Sequence, residues 1–160
     1  MSTTDTIFIA TDLPLEQVAA VLSEKLNLAK SIDEKGRVFL VRPLSEEAGR
    51  EVGGEIEQNP HFPVPDPEPD EISVIDGYSI AWDVWTLARD EDVSHPATRA
   101  LFIELTTEFP SWPAILVQNL GLLIAASHPD AGLVEFPPGT SPDGEDRELW
   151  RPFDVVPDRG

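Results

Sequence analysis

The residues best suited to acid–base or metal chemistry are three histidines and thirty carboxylates, and the chain contains no cysteine. His61, His95 and His128 each stand beside a proline, which is typical of turns and helix starts. No two histidines have the spacing of a helical metal site, so a metal centre would need three distant loops to converge. Zinc sites built on thiolates are excluded. The sequence therefore predicts neither a metal nor a cofactor.

Motifs for nucleophilic or nucleotide chemistry are also missing. A Ser/His/Asp triad assembles in space, so spacing neither supports nor opposes one, but no Gly-x-Ser-x-Gly elbow or Rossmann fingerprint occurs. The pair Gly53-Gly54 lacks a following Lys-Ser/Thr and has glutamates beside it that would repel a phosphate, so a bulge or tight bend explains it better. Catalytic carboxylate pairs could be drawn at will among so many acids. No catalytic residue is assigned, and we expect a protein that is not an enzyme.

The charge distribution points instead to a binding surface. The net charge of −19 disfavours binding to nucleic acid or to an anionic membrane. Residues 45–92 contain fourteen acidic and two basic residues, whereas residues 1–44 and 93–127 are nearly neutral. A field concentrated in this way favours a basic protein partner. The alternative is an acidic surface that serves only solubility.

Residues 59–71, NPHFPVPDPEPDE, are the most distinctive part of the acidic segment. Five prolines in thirteen residues impose extended backbone and prevent ladder pairing, which predicts a long loop at one edge of a sheet. Loops of this length inside compact domains are often functional, although a stiff, solvated connector would have the same composition.

Residues 72–87, ISVIDGYSIAWDVWTL, form the densest β-branched and aromatic run and predict the central hairpin of a sheet. Ile72 to Ile75 and Tyr78 to Leu87 flank Asp76-Gly77, a pair typical of tight hairpin turns. The second arm would alternate between a core face and a face that is partly covered and partly open. The core face would carry Tyr78, Ile80, Trp82 and Val84. The partly open face would carry Ser79, Ala81, Asp83, Trp85 and Leu87.

The periodicity of the remaining chain predicts two helices and several strands. One helix follows Asp12 as N-cap and ends before Gly36; the other follows Ser94 as N-cap and ends at Pro110. Strands are expected over residues 6–10, 37–42, 115–118, 122–127 and 133–136, with a turn at 119–121. Residues 44–58 are ambiguous between a helical turn and an edge strand bent at the glycine pair.

This order of elements predicts an α+β fold, with two helices packed on one face of a mostly antiparallel sheet. A single domain would cover residues 1–136, a size that supports one core. An irregular acidic tail, residues 137–160, would follow, with Trp150 and Phe153 docked on the domain or on a partner. The N-terminus lacks the features of a signal peptide and no long apolar run occurs, so a cytoplasmic protein is expected.

The size, the acidity, the strand YSIAWDVW and the segment FIELTTEFPSWPAILVQNLGLLIAAS together resemble the small acidic immunity proteins of bacterial polymorphic toxin systems. The resemblance covers residues 70–136. It implies a non-enzymatic inhibitor that plugs the active site of a basic toxin domain, as a monomer in a one-to-one complex. The outline is also similar to acidic secretion chaperones, which are usually dimeric and hold an effector segment, although the Pro-rich loop would be an awkward insertion. An enzyme of unknown class is the third alternative.

The expected partner-binding residues follow from where the charge lies. Acids of the loop and of the turn after the hairpin would steer the partner, while a carboxylate and a tryptophan of the central strand would lie nearer the contact centre. The predicted set is Asp66, Glu68, Asp70, Glu71, Asp83, Trp85, Asp90, Glu91 and Asp92.

Overall fold

The computed structural model describes residues 4–43, 51–60, 72–86 and 91–156, with the backbone alone at residues 86 and 91–94. The described residues form eight strands and three α-helices. The strands are β1 (Asp5–Ile9), β2 (Ala29–Ile32), β3 (Val38–Pro43), β4 (Glu51–Gln58), β5 (Ile80–Thr86), β6 (Ala114–Gln118), β7 (Leu122–His128) and β8 (Gly132–Glu135). The helices are α1 (Leu15–Lys25), α2 (Glu91–Glu108) and the short α3 (Arg147–Trp150).

All eight strands join one antiparallel sheet in the order β2-β3-β4-β5-β1-β6-β7-β8. Helices α1 and α2 pack on one face, here called the helix face, over a core that includes Leu22, Trp82 and Phe102. The predicted α+β fold is therefore confirmed. Strand β5 lies near the middle of the sheet, as expected, and its core face carries Ile80, Trp82 and Val84.

Helix α1 shows both a confirmed prediction and an error. The helix after Asp12 is present, and it buries Val18, Ala19 and Leu22 on one face. Its N-cap, however, is Pro14 rather than Asp12, and the helix stops at Lys25. Asn27 follows with a φ of 54°, a left-handed conformation that ends a helix and that Asn adopts more readily than most residues. The chain then turns into β2, a strand that the sequence did not reveal.

The predicted hairpin at Asp76-Gly77 is wrong. Residues 74–77 form a 3-10 helix instead, capped by Ser73, whose backbone N–H donates to the Asp76 carboxylate. The side-chain amide of Asn59 donates to the carbonyl of Ile75 inside this turn and to the carbonyl of Tyr78 just after it, at 3.0 and 2.8 Å. Tyr78 therefore lies outside β5, and its hydroxyl donates to the Phe153 carbonyl at 2.8 Å. Long-range hydrogen bonds thus override the local preference for a tight hairpin turn.

Of the two alternatives for residues 44–58, the described part forms a strand, β4, which lies inside the sheet between β3 and β5 rather than at an edge. Gly53 has a φ of 134°, and a Cβ built on it would come within 2.1 Å of the Leu40 carbonyl oxygen. A Cβ on Gly54 would lie 2.3 Å from the Asp83 carbonyl oxygen. The glycine pair therefore permits a close approach of the two neighbouring backbones.

The second helix and the hairpin after it follow the sequence pattern with one shift. Helix α2 begins at Glu91, so Ser94 and Pro96 lie inside it rather than at its start. Acidic residues suit the positive end of a helix dipole, which favours this earlier start. Strands β6 and β7 meet at Asn119 and Leu120, both with positive φ, as the predicted turn requires.

The face opposite the helices carries a second apolar cluster. Side chains of β1, β5, β6 and β7, such as Phe8 and Val117, pack there against Tyr78, Trp150 and Phe153. Trp150 is fully buried, and its indole N–H donates to the Asp143 carbonyl at 2.9 Å. The tail from residue 137 to residue 156 therefore packs on the sheet through short helical turns joined by irregular backbone.

Candidate functional site

The second apolar cluster covers only part of the sheet face on which it lies. In the residues that the structure describes, neither apolar cluster includes Phe39, Val41 or Trp85. These side chains lie on β3 and on the C-terminal half of β5, beside strand β4. We call this region the open face and define it by Phe39, Val41, Glu55, Glu57, Asp83 and Trp85.

Strand register brings the open-face residues together. Phe39 lies opposite Glu55, and Gly53 lies opposite Trp85. Since side chains alternate across a strand, Glu55 and Glu57 share one face of β4, as Asp83 and Trp85 share one face of β5. Leu40 and Trp82, which belong to the helix-face core, confirm that the intervening positions point the other way.

Asp83 is half-buried and is fixed by a neighbouring strand. Its Oδ1 accepts a hydrogen bond of 3.0 Å from the hydroxyl of Thr6 on β1, which pairs directly with Asp83 across the sheet. This contact leaves the second carboxylate oxygen without a hydrogen bond to any described residue. Asp83 is therefore held in place by one oxygen and retains acceptor capacity for a partner.

Glu57 is the most perturbed carboxyl of the open face. Burial, the charge and hydrogen bond of Glu55, and the charge of Asp83 all raise its pKa above the ordinary value. Among the described residues, no lysine or arginine forms an ion pair with Glu55, Glu57 or Asp83. Three carboxylates thus repel one another, with no compensating cation among the described residues.

Trp85 gives the open face an apolar component. The side chain is 38% exposed, a large exposed fraction for an aromatic residue. A Cβ built on Gly54 would lie 2.7 Å from its indole nitrogen. The absence of a side chain at Gly54 therefore makes room for the ring beside the carboxylates.

The nine predicted partner-binding residues are only partly placed by the structure. Asp83 and Trp85 lie together on the open face, as the alternation in β5 predicted. Glu91 and Asp92 are the first two residues of α2, not part of a turn. The remaining five, which are Asp66, Glu68, Asp70, Glu71 and Asp90, lie outside the described residues.

Sequence reasoning missed Glu55, Glu57 and Phe39 as members of the site. The alternation within EVGGEIEQ could have placed the two glutamates on one face, but the segment was ambiguous between helix and strand. Its pairing with β3 and β5 is set by contacts far along the chain. That register carries the information that the local sequence lacks.

A second polar group, distinct from the open face, joins α2 to β1. His95 Nδ1 lies 3.0 Å from Asp5 Oδ2, and the other ring nitrogen and the other carboxylate oxygen are buried without a described partner. A general base needs its free nitrogen within reach of a substrate. Nε2 is closed off from solvent, and this geometry supports a packing role for the pair.

Of the other two histidines, His128 lies at a turn, as expected, and His61 lies outside the described part of the chain. His128 Nδ1 accepts the backbone N–H of Asp130 at 3.1 Å, within the turn between β7 and β8. His61 is not among the described residues. Over the ranges that the structure describes, no three His, Cys, Asp or Glu side chains converge as metal ligands.

Among the described helices, none has the length and apolar character needed to cross a membrane. The chain matches no protein-family model, no curated protein and no solved structure. Function is therefore inferred from the geometry and charge of the chain itself.

Proposed function

We propose that the protein is a non-enzymatic inhibitor of the immunity-protein kind, which binds and neutralises a basic toxin domain in the cytoplasm through its acidic surface. The observation that carries this proposal is the open face, where Glu55, Glu57 and Asp83 share one face of the sheet with an exposed tryptophan. The carboxylates carry no described cation, so a lysine or arginine of a partner would relieve their mutual repulsion.

The open face combines the two features that protein–protein recognition uses. An acidic field, here part of a net charge of −19, accelerates and orients the encounter with a basic partner. A buried aromatic anchor then slows dissociation, because covering a large ring removes apolar area from water. Trp85 is suited to that second role, and its ring also offers a face for a cation.

The mode of inhibition needs only surface complementarity. A protein that covers a basic active site blocks substrate access without any reaction of its own. The proposed complex contains one copy of each protein, since the open face is a single patch on the described part of the chain.

Affinity capture with open-face variants tests the proposal. Tagged wild-type protein, taken from its native host at low salt, should retain a basic protein that is released at high salt, because salt screens the attraction. A variant with Asp83→Asn and Trp85→Ala should lose that protein, while Leu149→Ala, at an exposed position of α3, should keep it. Failure of the wild type to retain a basic protein at low salt would refute the proposal.

The mass and shape of the captured complex separate two functions. A one-to-one complex with a folded toxin domain supports inhibition. A dimer of this chain that holds an extended segment would instead indicate an acidic secretion chaperone.

Binding kinetics separate steering from anchoring. Neutralising Asp66, Glu68 and Asp70 together should lower the association rate constant and flatten its salt dependence, with little change in stability. Replacing Asp83 or Trp85 should instead raise the dissociation rate constant. If the triple variant leaves the association rate and its salt dependence unchanged, the Pro-rich loop is only a connector.

A further inference from the structure

The two edges of the sheet are both exposed strands. Every residue of β2 and of β8 is exposed, and each strand pairs with a described neighbour on one side only. The edges also display apolar side chains, with Ile32 at 62% and Leu133 at 47% exposure. Edge strands with apolar residues and free backbone groups are templates for another strand.

The direction of the edge strands permits one copy to continue the sheet of another. All neighbouring strands in the sheet are antiparallel, and the eight-strand order makes β2 and β8 run in opposite directions. The β2 edge of a second copy can therefore lie antiparallel to β8 with its helices on the same side of the sheet.

The side chains that would meet at such a junction lie on the same face. Lys30 pairs across the sheet with Leu40, and Glu135 pairs with Ala125. Leu40 and Ala125 both belong to the helix-face core. Lys30 and Ile32 on β2, and Leu133 and Glu135 on β8, therefore all lie on the helix face.

One antiparallel register matches both charge and apolar character. When Lys30 is opposite Glu135, Ile32 is opposite Leu133. Opposite charges and apolar pairs directly across two strands are each stabilising. Pairing β2 with β2, or β8 with β8, instead brings together strands that carry charges of the same sign. The sequence thus favours the junction between unlike edges.

The surroundings of the two edges have opposite charge. Residues 25–43 contain five basic and two acidic residues, although the whole chain has a net charge of −19. Residues 128–136 contain two acidic residues and no lysine or arginine. Glu135 does lie 3.9 Å from Arg99, but both side chains are at least half-exposed, and such pairs are weak. Glu135 therefore remains available to Lys30.

We propose that the β2 edge of one copy docks on the β8 edge of a second copy, so that the sheet continues from copy to copy. The strands at the junction have four residues each, so the association is weak and occurs only at high protein concentration. Because the two surfaces are different, the contact does not close on itself and chains of more than two copies form. The open face stays free, so this inference does not depend on the proposed function.

Sedimentation velocity across a concentration series at low salt tests the junction. The weight-average mass of the wild type should rise with concentration beyond that of a dimer. Lys30→Glu and Glu135→Lys should each weaken the association by roughly tenfold, because like charges then face each other. Arg151→Glu and Glu16→Lys make the same charge changes at exposed positions outside β2 and β8 and should associate like the wild type.

Mixing the two edge variants gives the sharpest result. In an equimolar mixture, the glutamate introduced by Lys30→Glu meets the lysine introduced by Glu135→Lys. At the other junction, the natural Glu135 of the first variant meets the natural Lys30 of the second. Association should therefore return to the wild-type level. Circular dichroism checks that both variants are folded. A monomer at every concentration, a mass that stops at the dimer, or a mixture as weak as the separate variants would each overturn the proposal.

Discussion

The pair of Asp5 and His95 shows how a single contact at the residue scale constrains the packing of a helix on the sheet. The pair links α2 to β1 through polar atoms, and one of its oxygens and one of its nitrogens are buried without a partner among the described residues. Removing one member leaves the other buried and unpaired, which costs more than removing both.

His95→Leu should therefore lower the free energy of unfolding by about 2–3 kcal/mol, because it strands the Asp5 carboxylate. The double variant Asp5→Leu/His95→Leu should lose less than the two single variants combined. Chemical denaturation of the three variants measures this coupling. Strict additivity of the two losses would show that the contact contributes nothing as a pair.

Glu57 provides a pH-dependent prediction at the same scale. Its pKa is raised in the folded protein by burial and by Glu55 and Asp83, so the folded state binds the proton more tightly than the unfolded state. The corresponding stability is present at low pH and is lost as the pH rises through the folded pKa. Glu57→Gln should therefore stabilise the protein at pH 7, by less than about 1 kcal/mol because the group is only partly buried.

The stabilisation by Glu57→Gln should disappear near pH 4, because the natural glutamate is then protonated and uncharged, like glutamine. Denaturation curves at the two pH values test this, with Glu16→Gln, an exposed site on α1, as the control. An equal effect at both pH values would mean that charge repulsion is not the cause.

At the scale of elements, the close approach of β3 to β4 depends on Gly53. Gly53 and Gly36 both have positive φ, but only Gly53 would bring a Cβ against backbone, while Gly36 has nothing within 4 Å. Gly36→Ala should cost about 1 kcal/mol from the backbone conformation alone. Gly53→Ala should cost about 3 kcal/mol or more, because β3 must also move. Thermal or chemical unfolding compares the two, and equal losses would show that the strands can separate freely.

Elements were predictable where local pattern and tertiary contacts agree. The stripe on α1 and the turn at Asn119-Leu120 are examples, since periodicity and turn chemistry are properties of a few neighbouring residues. The 3-10 helix at residues 74–77 was not predictable. Its geometry depends on Asn59 and on a backbone hydrogen bond from Val74 to Pro142, both distant in sequence. Strand β2 was missed because its four residues are all exposed and show no alternation.

The candidate site was predictable to the same extent as its strands. Asp83 and Trp85 lie on β5, whose alternation is plain in the sequence, so their shared face could be deduced. Glu55 and Glu57 join them only through the register of β4 with β5, which no local pattern encodes. The sequence therefore predicted that the surface is acidic, and the sheet topology identified which residues form it.

The whole molecule is asymmetric in the way its two sheet faces are covered. Helices α1 and α2 cover one face, while, among the described residues, the tail and residues 72–78 cover only part of the other. The open face is what remains. The described tail packs against side chains of β1, β6 and β7 on the face opposite the helices, so it contributes to the core rather than to the open face.

The contribution of the tail can be measured at Trp150. This residue is fully buried, whereas its neighbour Leu149 is 46% exposed. Trp150→Ala should lower the free energy of unfolding by about 3–5 kcal/mol and expose apolar side chains of β1 and β6, detected by binding of a hydrophobic dye. Leu149→Ala should change neither quantity appreciably. A loss below about 1 kcal/mol for Trp150→Ala would mean that the fold is complete at residue 136 and that the tail adds nothing to it. A chain truncated after residue 136 would then fold with unchanged stability.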